Sequence, residues 1–99
     1  MLLEGSDPEK KVAAHFAAIA SCVQERQPDR TLMALLAQTQ LLCAEAADRE
    51  RSADLKRLLT NVGAALQTWQ QVWPRLGTRD EFRLAVAREA RLWSKRFSD

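Results

Sequence analysis

Tyrosine is missing from this chain, histidine occurs once, cysteine twice, and glycine and proline three times each. A sheet needs frequent turns built from glycine and proline, and strands rich in β-branched and aromatic residues, so these shortages argue against β structure. No period-two alternation of apolar and polar residues appears anywhere. No apolar run approaches the roughly 20 residues that cross a bilayer, which excludes a membrane helix. Residues Met1 to Lys11 lack the basic, apolar and small-residue succession of a signal peptide, and a cytoplasmic location is expected. Gly5-Ser6 has the look of an expression scar, so residues 1–6 are expected to be a flexible N-terminus preceding a single helical domain over 7–99.

The same shortages thin out the chemistry. His15 has Lys11 at i−4 and Ile19 at i+4, so it has no ligand partner at helical spacing and reads as a partly buried polar residue. Cys22 and Cys43 fit no metal or redox spacing. If the first two helices turn at Gln27-Pro28, Cys22 lies roughly 8 Å from the turn and Cys43 roughly 23 Å, at 1.5 Å per residue. That is too far apart for a disulfide, and two buried free thiols are expected. Neither a paired Glu-x-x-His set nor a glycine-rich phosphate loop is present. Ser21, Cys22 or Cys43 could be joined across helices to an orienting base, but such residues are common and their presence carries no signal. Asp7, Glu9, Asp80 and Glu81 fall at helix starts, where the macrodipole accounts for them. The expectation is a protein that is not an enzyme and holds no metal or cofactor.

What is abundant is alanine, leucine, arginine, glutamate and glutamine, the composition of helices. At 99 residues, 46% hydrophobic and 28% charged, the chain can form one globular core. Four amphipathic segments follow from the 3.6-residue period. The first opens with a Ser6-Asp7-Pro8-Glu9 capping box and should run to about Arg26 on the stripe Val12, Phe16, Ile19 and Val23, flanked by Ala13, Ala17 and Ala20. Pro28 begins a second, from about Asp29 to Asp48, on Leu32, Leu35, Leu36, Thr39, Leu42, Cys43 and Ala46. The third carries Leu55, Leu58, Leu59, Val62, Leu66, Trp69 and Trp73.

No glycine or proline separates the second segment from the third, so a single long helix, and with it a three-helix chain in an obligate oligomer, is the alternative. Phase favours a break, because in one rod the two stripes would point about 150° apart. The charged run Asp48-Arg49-Glu50-Arg51 and Ser52 as N-cap mark the place. Pro74-Arg75-Leu76-Gly77 reads as the clearest interruption, and Thr78-Arg79-Asp80-Glu81 as a second capping box. The fourth helix then runs from near Arg79 to about Phe97 on Phe82, Val86, Ala90, Trp93 and Phe97. Short connections favour an all-α, four-helix antiparallel bundle. Trp69, Trp73 and Phe82 should meet as an aromatic end of the core, and Gly63 should mark a close helix crossing.

Charge is uneven. Residues 1–50 carry 5 basic and 8 acidic side chains, and residues 51–99 carry 10 and 5. On the fourth helix, Arg88, Arg91 and Lys95 project opposite the core stripe, and Leu84 and Leu92 fall in or beside the same outer region. Leu41 lies opposite the stripe of the second helix, and Met33 lies off it. Apolar residues among arginines at successive turns suit an interface. Two functions follow from these features. One is a non-enzymatic protein-interaction module, self-associating or part of a larger assembly, that binds through Leu84, Arg88, Arg91, Leu92 and Lys95. The other is nucleic-acid binding through Arg75, Arg79, Arg83, Arg88, Arg91, Lys95 and Arg96. Helical phase disfavours the second, since it turns Arg79 and Arg83 towards the core.

Overall fold

A computed structural model describes residues 8–98 and contains four helices: α1 Pro8–Gln24, α2 Asp29–Arg49, α3 Ala53–Leu76 and α4 Asp80–Ser98. Ser6 and Asp7 of the first capping box lie outside the described residues, as does the expected flexible segment 1–6.

α1 stops at Gln24, two residues earlier than its apolar period suggested. Arg26 takes a left-handed conformation (φ 53°), Arg26 N donates to Val23 O and Gln27 N donates to Cys22 O. This pair of bonds satisfies the last carbonyls and closes the helix before Pro28, which occupies the N-cap position of α2. The break between α2 and α3 falls where the charged run placed it. Glu50 Oε1 accepts from Arg51 N and Ser52 N, and Ser52 Oγ accepts from Leu55 N at 3.3 Å as the N-cap of α3. Two separate helices therefore replace the single rod of the three-helix alternative.

Two expectations at the next turn are corrected. α3 does not end before Pro74 but continues through it to Leu76, with Gly77 N donating to Trp73 O at 2.8 Å. Pro74 forfeits one donor in the last turns, while burial of Trp73 holds the backbone helical around it, so packing overrides a local breaker. The Thr78–Glu81 capping box is not made. α4 starts at Asp80, the Arg79 carbonyl accepts from Arg83 N, and no side-chain hydrogen bond joins Thr78 to Glu81 among the described residues.

The closely packed pairs are α1 with α4, α2 with α3, and α1 with α2. Interhelical bonds give the directions. Ser94 Oγ donates to Ala13 O and Arg83 Nη2 to Val23 O, so α4 runs antiparallel to α1; Trp73 Nε1 donates to Asp29 Oδ1, and Gln70 Nε2 to Gln40 Oε1, so α3 runs antiparallel to α2. The fold is an all-α, four-helix antiparallel bundle in the order α4–α1–α2–α3, and its fourth seam, between α3 and α4, is not a close backbone contact.

Side-chain size explains which seams close. The tight seams carry Ala13, Ala20, Ala87 and Ala90, or Cys43, Ala46 and Ala47, all buried. Between α3 and α4 the ring contact is that of Trp73 with Phe82, two large side chains that keep the backbones further apart than alanines do. The rest of the core includes Val12, Phe16, Ile19, Val23, Leu32, Leu36, Leu59, Val62, Leu66 and Val86, with Met33 also packed against it rather than idle beside the stripe. Thr39, the polar member of the α2 stripe, is buried and donates to Leu35 O at 2.7 Å. Cys22 and Cys43 are buried and unpaired, and burial pushes the Cys43 thiol up to about 11.

Candidate functional site

At the bundle end formed by α1, α3 and α4, Arg83 is buried, with only 9% of its surface exposed. Nη1 donates to Gly77 O at 2.9 Å and Nη2 to Val23 O at 2.8 Å, and the guanidinium lies 5.2 Å from the centre of the Trp73 ring. Both carbonyls sit at helix C-termini, of α3 and α1, whose partial negative charge supplies what a carboxylate would. Trp73 and Phe82 meet at 5.5 Å, but Trp69 makes no ring contact with them among the described residues, so the expected three-ring cluster is a pair joined by an arginine. Arg79, expected on the core side with Arg83, is exposed, because it precedes the helix. Beside this end, the exposed pair Arg26–Asp80 (2.7 Å) links the turn after α1 to the start of α4, and the Arg26 hydrogen bond and charge hold the Asp80 carboxyl below its usual range.

These contacts orient α4 so that Leu84 and Leu92 face outward, 52% and 68% exposed. They do not form one patch. Each step of four residues overshoots a turn by about 40°, so the row Leu84, Arg88, Leu92, Arg96 winds about 120° around α4. Leu84 leans towards α1 and lines a cavity of about 280 Å³ with Val23, Gln24, Arg26, Asp80, Arg83 and Ala87. Leu92 and Arg88 instead share a groove of about 530 Å³ with Ala85, Glu89, Trp93 and Arg96. Of the remaining expected residues, Arg91 donates through Nη2 to Gln24 Oε1 and so is tied to α1, while Lys95 is exposed and lines neither cavity.

Three groove residues were not singled out as binding residues by the sequence, Ala85, Glu89 and Trp93, and Arg96 was expected to bind only in the nucleic-acid reading. A signal existed, since Ala85, Glu89, Leu92 and Arg96 recur at intervals of four, three and four residues and share one side of α4. Trp93, expected in the core, is half-buried beside Phe97 at 6.3 Å. Its indole Nε1 is buried without a hydrogen-bond partner.

Elsewhere, Leu41 is 67% exposed on α2, beside His15, Gln38, Leu42 and Glu45. The His15 ring is occupied locally, its Nδ1 donating to Lys11 O at 2.9 Å. Among the described residues, no three His, Cys, Asp or Glu side chains converge as a metal site would require, and no helix is long and apolar enough to cross a membrane. Comparison with protein-family models, curated proteins and solved structures finds no match to this chain.

Proposed function

We propose that this chain is a non-enzymatic protein-interaction module that binds through the outer face of α4, either to a second copy or within a larger assembly. One observation carries the reading: two large leucines, Leu84 and Leu92, stay exposed on a helix whose other side is fully used in the core, with Arg88 between them. Leaving a leucine side chain in water forgoes about 2 kcal/mol of burial, which a partner surface would recover. Arg88 and Lys95 make no side-chain hydrogen bond or ion pair among the described residues and remain available. Two buried free thiols suit a reducing compartment such as the cytoplasm.

The nucleic-acid reading draws on the ten basic side chains of residues 51–99. Its seven-residue surface loses Arg83 to the core and Arg91 to Gln24, which breaks the continuity that phosphate binding needs.

The test compares the wild type with the L84E/L92E double variant, by sedimentation velocity and by retention of proteins from the native host. A complex formed by the wild type and lost in a folded variant supports the proposal. Equal behaviour of the two proteins overturns it.

A further inference from the structure

We propose that the α4 groove lined by Ala85, Arg88, Glu89, Leu92, Trp93 and Arg96 docks an acidic amphipathic helix of a different protein, an inference that rests on α4 being the interaction face. Shape comes first. The groove runs along about three turns of α4, from Ala85 to Arg96, with Leu92, 68% exposed, standing out along it and the half-buried Trp93 beside it as its apolar surface. A helix laid along such a groove seats apolar side chains at i, i+3 or i+4, and i+7.

Charge then selects the occupant. Arg88 and Arg96 stand one turn on either side of Leu92, and both are exposed with no side-chain partner among the described residues. From residue 88 to 98 the helix carries Arg88, Arg91, Lys95 and Arg96 against the single carboxylate Glu89. A docked helix with carboxylates flanking its apolar anchors meets both arginines, and each pairing strengthens as the groove loses water.

The same charges count against a second copy of this chain. A two-fold contact centred on Leu92 sets Arg88 of one copy against Arg96 of the other, cation on cation at both ends. A nucleic-acid backbone fits no better, because phosphates offer nothing apolar to cover the exposed Leu92 and the half-buried Trp93.

Two synthetic helical peptides of about 18 residues test this, one with leucines along one face flanked by glutamates, the other with lysine at every glutamate position. Trp93 reports occupancy, so the emission shift on titration should be seen in wild type and lost in W93F. The acidic peptide should bind the wild type, at least about tenfold more weakly in R88E/R96E and at roughly 0.3 M salt. The lysine peptide should gain affinity for R88E/R96E, a reversal that nonspecific stickiness cannot produce. Circular dichroism checks folding, and R88Q/R96Q serves if charge reversal disturbs it. Equal binding of the two peptides, binding undiminished in L92E, or displacement by a short DNA duplex each overturns the proposal. If the acidic peptide fails while L84E/L92E still abolishes a native complex, the occupant is wrong and the interaction reading stands. If both fail, the face itself is not an interaction surface.

Discussion

Arg83 is a buried cation that makes no ion pair among the described residues, although the exposed Asp80 carboxyl lies within reach of its charge. Its charge is held by Val23 O and Gly77 O, which end two different helices, and by the Trp73 ring. Truncation to alanine removes two charge-assisted hydrogen bonds and should destabilise the fold by about 2–3 kcal/mol; Arg83→Lys, which keeps the charge but cannot span both carbonyls, should recover about half. Urea midpoints of the three proteins check this, and an Arg83→Ala loss within about 0.5 kcal/mol would show that the helix ends do not need the guanidinium. Cys43 makes a second prediction at the same scale. Its folded value, raised to about 11 from the ordinary 9.0, means the native state holds the thiol proton more tightly than the unfolded chain. Stability should thus be undiminished by this group below pH 9 and fall as pH rises from 9 towards 11. No tyrosine titrates in that window, so Cys43→Ala should visibly flatten the decline in urea midpoint with pH.

Among the helices, the two glycines of α3 and its end behave oppositely. A Cβ built on Gly63 meets Cys43 Cβ at 3.8 Å, an ordinary contact, so Gly63→Ala should gain helix propensity and stabilise by up to about 1 kcal/mol. A Cβ on Gly77 would lie 2.6 Å from Trp73 Nε1 and 2.7 Å from Trp73 O, so Gly77→Ala must displace the indole and should destabilise by about 1–3 kcal/mol. Thermal melts followed by circular dichroism separate the two signs. Helix boundaries set by local chemistry were legible in the sequence: Pro28, and Ser52 with its hydrogen bond to Leu55 N. The end of α3 was not, because the burial of Trp73, a tertiary effect, carries the helix through Pro74. The candidate site divides in the same way. The exposure of Leu84, Arg88 and Leu92, and the sharing of one side by Leu92 and Arg96, followed from helical phase, whereas adding Trp93 to that side needed the packing of the bundle, which leaves its ring half-buried.

Over the whole molecule, the close pairing of α1 with α4 makes residues far apart in sequence interdependent, as in the stacking of Phe16 on Phe97 at 6.4 Å and the bond from Ser94 to Ala13. A chain ended at residue 77 leaves Phe16, Ile19 and Val12 without their cover. It should lose its cooperative unfolding transition and bind a hydrophobic dye, and a sharp melt retained by that fragment would show that α1, α2 and α3 suffice.

The α1–α4 pairing also has a consequence in time. While a ribosome extends the chain, α2 and α3 can associate soon after both emerge, since only Glu50, Arg51 and Ser52 separate them. α1 is made before either of them but meets its principal partner only after residue 98 has left the exit tunnel. Until then the apolar stripe of α1 lacks its principal cover. Synthesis therefore passes through a window in which α1, the first of these four helices, waits for its main partner, and it closes with the arrival of α4, which brings the proposed docking groove with it.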